Sequence, residues 1–284
     1  MVTIITKKQL LIGLSIVALF FSFVMFGGRI VNLSLDKNNK DKTLDASNST
    51  NVLRWGLKRN GKGNLPTVDP GADELLKKYN SKYIGDTNSK KIYLTFDEGY
   101  ENGMTPKILD VLKAKNVKAI FFVTMPYLNN EGALVKRMVN EGHYVGNHTM
   151  NHPSLPTISE SELRKELDEL NNAFKTQYGQ SMKFMRPPKG EYSVDVLKIA
   201  NEMGYCTLFW SFAYDDWEAN KQRGADYAIK KVSDNIHNGA VLLLHAVSKD
   251  NADGLETIIN TLISEGYSFG DPIDLLGGTN NEKQ

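Results

Sequence analysis

Residues 91–124 read KIYLTFDEGYENGMTPKILDVLKAKNVKAIFFVT, and this stretch decides the architecture. KIYLTFD (Lys91–Asp97) reads as a strand, and AIFFVT (Ala119–Thr124) as the next one. Between them, Thr105 and Pro106 supply N-cap and N1 chemistry for a helix with Ile108, Leu109, Val111 and Leu112 on one face. The same alternation continues downstream. Leu134–Asn140 is helical in pattern, His143–His148 (HYVGNH) is strand-like, and Ser159 with Glu162 forms a capping box for a long helix reaching about Tyr178. Further strands are expected at Lys183–Arg186, Tyr205–Phe212, Ala240–His245 and Tyr267–Phe269. Helices are expected between them at Ser193–Glu202, Ala225–Ile236 and Ala252–Glu265. Strands alternating with helices of this length predict a mainly parallel sheet. About seven such units in roughly 190 residues predict an α/β fold, a distorted, incomplete (β/α)7 barrel that is TIM-like but one unit short. The alternative, a doubly wound open sheet, lacks its phosphate turn: Gly99 follows Asp97-Glu98 without a G-x-G-x-x-G context.

Upstream of this domain the chain changes character. Lys7 and Lys8 precede Leu10–Phe26, which runs 17 residues without a charge. A positive flank ahead of an apolar run is the layout of an export signal or of a single span. No A-x-A site follows; the next residues are Gly27, Gly28 and Arg29. Residues 1–35 are therefore expected to be an uncleaved membrane anchor, with a cleaved signal as the alternative. Residues 36–52 (beginning DKNNKDKTLDASNST) are too poor in apolar groups to order themselves and read as a flexible linker. Residues 53–89, with Trp55, Leu57 and a helix-like Ala72–Tyr79, read as an arm packed on the domain at 90–278. Either reading of the N-terminus places the remainder outside the cytoplasm, membrane-anchored or secreted.

Composition narrows the chemistry. Of 284 residues, 34 are Lys or Arg and 33 Asp or Glu, a balance that argues against a nucleic-acid binder. The single cysteine, Cys206, bars an internal disulfide and any Cys-based zinc site, so a metal would need His, Asp or Glu. Residues just past the carboxyl ends of parallel barrel strands meet on one rim. Asp97 and Glu98 fall there, as do His148 and His152, Arg186-Pro187-Pro188-Lys189-Gly190, Asp215-Asp216-Trp217 and His245. Three of the five histidines occupy strand ends. His148 and His152, four apart, project from one face of a single turn that Pro153 keeps from becoming a helix. Two imidazoles and one carboxylate leave positions open for water and substrate. Adjacent Asp97 and Glu98 would repel unless they divide the work, one as metal ligand and one as general base. His245 ends the apolar AVLLLH and reads as a general acid. His143 and His237 read as structural, and Cys206, within an apolar strand, is a poor nucleophile.

The ordered words TFDEG, HTMNH, RPPKG, DDW and LLLH resemble the five motifs of the polysaccharide deacetylases, carbohydrate esterase family 4 with its NodB-homology domain. The resemblance spans about Lys90 to Leu276. Its flanking words (EGYENGMTPKILDVL, RPPKGEYS, FWSFAYDDW, LLHAVSKDNADGL) are similar to the delta-lactam-biosynthetic de-N-acetylases, and the arm WGLKRN…DPGADELLKKY extends the likeness to about Trp55. That resemblance implies a catalytic domain at 90–278. In it Asp97 is the base, Glu98, His148 and His152 are metal ligands, and Arg186 orients Asp97. Asp216 in turn holds Arg186, and His245 protonates the leaving amine. Trp217 forms an apolar wall beside His245, and Tyr100, Pro188 and Gly190 join it in binding substrate. The implied cofactor is a divalent metal, zinc first, with cobalt, manganese or another divalent ion as alternatives. Glu98 departs from the family's Asp-Asp pair, and its extra methylene moves the carboxylate by about 1.5 Å.

The function so implied is a metal-dependent peptidoglycan de-N-acetylase acting on N-acetylmuramic acid, on the route to the muramic delta-lactam of spore cortex. Its partners would be a peptidoglycan glycan strand and, through the N-terminal segment, the membrane; the chain would act as a monomer without nucleic acid. Two alternatives stand beside it: a deacetylase of N-acetylglucosamine in peptidoglycan or chitooligosaccharides, and a non-catalytic glycan-binding wall protein.

Overall fold

In the computed structural model, which describes residues 50–277, the chain enters through its arm. The arm contains β1 (Leu53–Arg54), β2 (Leu57–Lys58), β3 (Thr67–Val68), α1 (Ala72–Lys78) and β4 (Ser81–Lys82). The domain follows as β5 (Lys91–Glu98), α2 (Thr105–Ala114), β6 (Ala119–Val123), α3 (Met125–Asn130), α4 (Gly132–Asn140) and β7 (Tyr144–Asn147). Next come α5 (Glu160–Tyr178), β8 (Phe184–Met185), β9 (Glu191–Tyr192), α6 (Val194–Glu202) and β10 (Cys206–Leu208). The domain ends with α7 (Ala225–Ser233), β11 (Val241–His245), α8 (Lys249–Ser264) and β12 (Ser268–Phe269). The expected anchor at 1–35 and nearly all of the expected linker at 36–52 lie outside the described residues. Among the described residues no helix is long and apolar enough to cross a membrane.

Every strand expected between 91 and 269 is present; the first runs one residue longer, to Glu98, and the others are trimmed by a residue or more. The sheet runs β11-β5-β6-β7-β8-β10-β4, with β12 beside the start of β5, and its pairings are parallel. It is a curled sheet with two cores, and the alternation of side chains along each strand assigns residues to one or the other. Ile92, Leu94 and Phe96 of β5, with Phe121 and Val123 of β6, pack outward against the helices. Tyr93, Ile120, Phe122, Phe184, Cys206, Leu208 and Val241 fill the concave side. The helix after β5 starts one residue earlier than expected: Met104 is its N-cap and Thr105 already helical, because the Thr105 hydroxyl is engaged with Glu98 and Tyr127 instead of the helix end. The capping box of Ser159 and Glu162 is present as expected.

The arm completes the wall. β4 adds to β10 as the outer strand of the sheet, and the next residues reach β11 through an antiparallel bridge between Ile84 and Ala240. On the other side Phe212 bridges Leu242, with the Leu243 N–H donating to the Phe212 carbonyl at 2.9 Å. The two edges of the sheet are thereby joined by chain segments where an eighth unit would stand. Gly239 must be glycine at this seam: its φ is 72° and a Cβ would lie 2.9 Å from the Gly85 carbonyl oxygen. Farther up the arm, β1 pairs antiparallel with β9, and Trp55 is buried against Phe209 and Tyr83, ring centroids 4.8 and 4.9 Å away. The Trp55 indole donates to the Trp210 carbonyl at 2.9 Å, and its backbone N–H to the Gly190 carbonyl at 2.8 Å.

A buried indole with that many contacts carries a large share of the arm's attachment. Trp55→Ala is expected to lower unfolding stability by about 3–5 kcal/mol. Urea denaturation followed by circular dichroism checks this, and a loss well below that range would mean that the arm is not part of the cooperative unit.

Candidate active site

Arg186, at the end of β8, is fully buried and sits beneath the rim. Its Nη1 donates to Asp97 Oδ1 at 2.7 Å and its Nη2 to Thr95 Oγ1 at 2.8 Å. Its Nε donates to the Leu208 carbonyl at 2.9 Å, and the guanidinium lies over the Phe122 ring, 4.2 Å from the centroid. Burial alone would push the Asp97 carboxyl up. The charge and hydrogen bond of Arg186, with the neighbouring imidazoles adding to them, outweigh it and hold the group below the usual carboxylate range, so Asp97 is ionised at neutral pH. The oxygen left free by Arg186, Oδ2, faces His148 Nε2 at 3.6 Å.

His148 and His152 do come together, with ring centroids 4.9 Å apart, although not on the expected helical turn. Thr149 and His152 both take left-handed backbone conformations, at φ 70° and 58°. The loop holds them there: the Thr149 hydroxyl accepts from the His152 N–H, Asn147 Oδ1 accepts from the Thr149 N–H, and Glu166 takes both Asn151 N and Asn151 Nδ2. Strain at two non-glycine residues is maintained by that network. His148 Nδ1 lies 2.9 Å from the Arg186 carbonyl, which can only accept, so Nδ1 carries the proton and Nε2 presents a lone pair. Burial pushes His148 down to about 4 and lowers His152 as well, leaving both rings neutral. A lone pair facing a carboxylate oxygen is repulsive unless a cation lies between them. Two neutral imidazoles, one oriented by a backbone carbonyl, with an ionised carboxylate beside them therefore fit a divalent cation by donor chemistry.

Glu98 does not join this set. Adjacent residues of a strand point to opposite faces, so with Asp97 on the rim Glu98 turns into the outer core. There it is wholly buried; the Thr105 hydroxyl donates to its Oε2 at 3.4 Å, and its Oε1 has no partner. Burial, then the charge of Glu101, push its carboxyl well above the usual range. Among the described residues no three His, Cys, Asp or Glu side chains are placed to hold a metal ion together, so the expected trio of Glu98, His148 and His152 is not assembled.

His245 ends β11 in register with Asp97 on β5. Asp216 serves His245 and not Arg186, contrary to expectation. Its Oδ1 lies 2.7 Å from His245 Nδ1, and its Oδ2 accepts from the His245 backbone N–H at 2.9 Å. Arg186 has no need of it, because Asp97, Thr95 and backbone carbonyls already take its donors. Burial lowers His245, but the Asp216 hydrogen bond and charge, with the charge of Asp97, overcome it and the imidazole titrates above its ordinary value. Trp217 stands beside it with ring centroids 5.9 Å apart and is 54% exposed, as is Tyr100 just past β5. Pro188 and Gly190 are buried and shape their loop from below; the exposed residue between them is Lys189, held at φ 58°, whose charge reaches His152. Gly190 lies so close to Trp210 that a Cβ would meet its ring at 2.8 Å.

The residues that sequence reasoning did not single out are Thr95, Asn147, Glu166, Tyr214 and Asn251. Each acts through a second residue of the rim, and of the five only Thr95, the first residue of TFDEG, lies inside one of the motif words. Cys206 is buried, and burial raises its thiol to about 12, which removes it as a nucleophile.

The sequence profile of the polysaccharide deacetylases matches residues 84–208. The peptidoglycan-N-acetylmuramic acid deacetylase PdaA of Bacillus subtilis is 43% identical over 225 residues, which cover 79% of this chain and 86% of that one. A peptidoglycan-N-acetylglucosamine deacetylase of Bacillus cereus is 36% identical over 198 residues, 68% of this chain and 71% of that one. The solved structure of Bacillus subtilis PdaA, described as a family 4 carbohydrate esterase, superposes with a TM-score of 0.78 at 42% identity, covering 80% of this chain and 98% of that one. With the ordered motifs, the curled parallel sheet and relatives of this identity and coverage, the chain belongs to the polysaccharide deacetylase family.

Proposed function

We propose that this protein hydrolyses the acetamide of N-acetylmuramic acid in peptidoglycan, releasing acetate and a free amine. The observation that carries the reading is the pairing, on one rim, of a buried ionised carboxylate, Asp97, with a raised-pKa imidazole, His245. Their environments push the two groups apart, which is how a site divides base and acid roles. The muramic target follows the Bacillus subtilis relative, which resembles this chain along most of both lengths.

Arg186 fixes Asp97 through Oδ1, leaving Oδ2 to take a proton from the attacking water. As the C–O bond forms and the C–N bond breaks, the amine nitrogen needs a proton. Asp216 occupies His245 Nδ1, so His245 Nε2 is the atom that delivers it. Trp217 walls the same side of the cleft and offers the sugar an apolar face. His148 and His152 would hold a divalent cation, zinc in first place, beside Asp97. The chemistry such an ion supplies when bound is polarisation of the acetyl carbonyl and acidification of water. The amine produced, next to the lactyl carboxylate of muramic acid, can close to a delta-lactam, and on this reading the protein would serve spore-cortex modification. The arm at 53–89 and the domain at 90–278 would work outside the cytoplasm, tethered by residues 1–52.

Incubation with defined glycan strands and zinc, read by mass spectrometry, should show loss of acetyl from muramic acid that chelator abolishes. Loss from glucosamine instead would transfer the activity to the other sugar, and unchanged masses with glycan still bound would reject hydrolysis. Metal analysis should find that His148→Ala no longer retains zinc whereas Glu98→Gln does; the reverse order would restore Glu98 as a ligand. The pH profile carries the third outcome. A general acid works only while protonated, and the raised pKa of His245 keeps the proton to higher pH, so activity falls as pH rises through that value. Asp216→Asn should move this alkaline limb to lower pH and reduce kcat by about a hundredfold or more.

A further inference from the structure

The carboxylate that governs His245 is itself held by a side chain outside the five motif words. Asn251 is fully buried in the first turn of α8. Its Nδ2 donates to Asp216 Oδ2 at 2.6 Å and to the His245 carbonyl at 3.2 Å. Its Oδ1 accepts from the Tyr214 hydroxyl at 2.5 Å. The Asp216 carboxylate, which can only accept, decides which end of the amide faces it, and the Tyr214 hydroxyl matches that choice by donating to the other end. With a hydroxyl donating to Oδ1, the NH2 group must turn to the carboxylate; reversed, an amide oxygen would face a carboxylate oxygen. Burial, then Asp216 and Asp250, push the Tyr214 phenol far up, so it stays a donor.

The helix start is arranged to free this amide. Ser248 caps α8 and takes the Asn251 backbone N–H at 3.2 Å. A Glu or Gln at this position commonly reaches back to the N-cap; here the side chain points to Asp216 instead. The preceding residue, Asp250, takes the backbone N–H groups of Arg223 and Gly224 at 2.6 and 2.9 Å. One helical turn thus grips both ends of the 215–224 loop that carries Asp216 and Trp217.

We infer that Asn251, oriented by Tyr214, is a positioning residue that locks the Asp216 carboxylate onto His245 and thereby sets proton delivery to the leaving amine. The inference rests on the proposed role of His245 as proton donor. The charged groups bearing on His245 are Asp216 from the loop, Asp97 from β5 and Arg186 from β8, and His152 lies close enough for their charges to interact. Of these only Asp216 bonds to the ring, and among the described residues its two oxygens are held by His245 and Asn251.

The test compares pH–rate profiles on glycan strands, and NMR titration of the His245 imidazole, for the full chain and three variants. Tyr214→Phe removes one hydroxyl without changing shape and serves even where Asn251→Ala does not fold. Each is expected to lower kcat, by about tenfold or more for Asn251→Ala, with KM within about twofold. In both, the alkaline limb and the His245 titration should move to lower pH, because Asp216 is free to leave the ring. The double variant should be no worse than Asn251→Ala, since both act along one chain of contacts. Wild-type titration of His245 in a folded Tyr214→Phe or Asn251→Ala protein, an effect confined to KM, or additive losses would overturn the inference. The NMR arm keeps this separate from the reaction itself: inactivity of the wild-type protein on every glycan would defeat the proposed function and leave the coupling to His245 measurable.

Discussion

The buried ion pair between Arg186 and Asp97 is the interaction on which the rest depends. A guanidinium with no exposure would be prohibitively costly unless nearly every donor were used, and it is placed where they are. It spends them on Asp97 and Thr95 of β5 and on the Leu208 and Phe209 carbonyls at the end of β10, while the Thr95 hydroxyl passes on to the Leu242 carbonyl of β11. One side chain from β8 therefore ties together three other strands of the curled sheet just below the rim. Its backbone takes part as well: the N–H donates to the Asn147 carbonyl and its carbonyl receives His148. Losing either charged partner would strand the other in a low-dielectric interior, a cost of about 3–5 kcal/mol. The pair that orients the catalytic carboxylate is thus also a clasp of the fold, and the two roles cannot be separated by mutation at Arg186.

The same strand geometry explains why Asp97 and Glu98 lead different lives. β5 alternates between the concave core and the helix-facing core, so position 97 inherits Arg186 and the histidines while position 98 inherits Thr105, Tyr127 and the outer helices. Repulsion between neighbouring carboxylates is avoided by orientation and neutralisation, with no cation needed between them. Glu98 is kept neutral by its burial and by Glu101, whereas Asp97 is kept charged by its partners. Two adjacent acids differ in state because the pleat gives them different solvents.

Much of this was legible in the residues. Periodicity located the strands and most helices, since long apolar runs broken by capped amphipathic segments leave little choice of register. The rim followed from strand ends. What escaped were contacts made by short or irregular pieces. The two residues of β4 carry no pattern, yet they complete the sheet beside β10. The loop that joins His148 to His152 uses left-handed residues and Glu166 from α5, so a spacing of four suggested a helical turn that does not form. The place of Glu98 was readable in principle: the period of two in KIYLTFDE already separates it from Asp97. The partner of Asp216 was not, because a loop residue has no period and its choice between Arg186 and His245 is settled only in three dimensions.

That choice gives the rim its division of labour. Arg186 and the neighbouring imidazoles keep Asp97 charged without Asp216, so Asp216 is free to act on His245, where its hydrogen bond and charge raise the imidazole against the pull of burial. Had Asp216 held Arg186, the guanidinium would have been shared between two carboxylates and His245 left to burial, which lowers it. The observed wiring sends one anion to each working group: Asp97 receives a permanent cation and becomes a base that stays ionised, and His245 receives an anion and becomes an acid that keeps its proton. Base and acid face each other across neighbouring strands in register. Their opposite shifts come chiefly from separate partners, Arg186 for the base and Asp216 for the acid, and each group's charge reinforces the shift of the other.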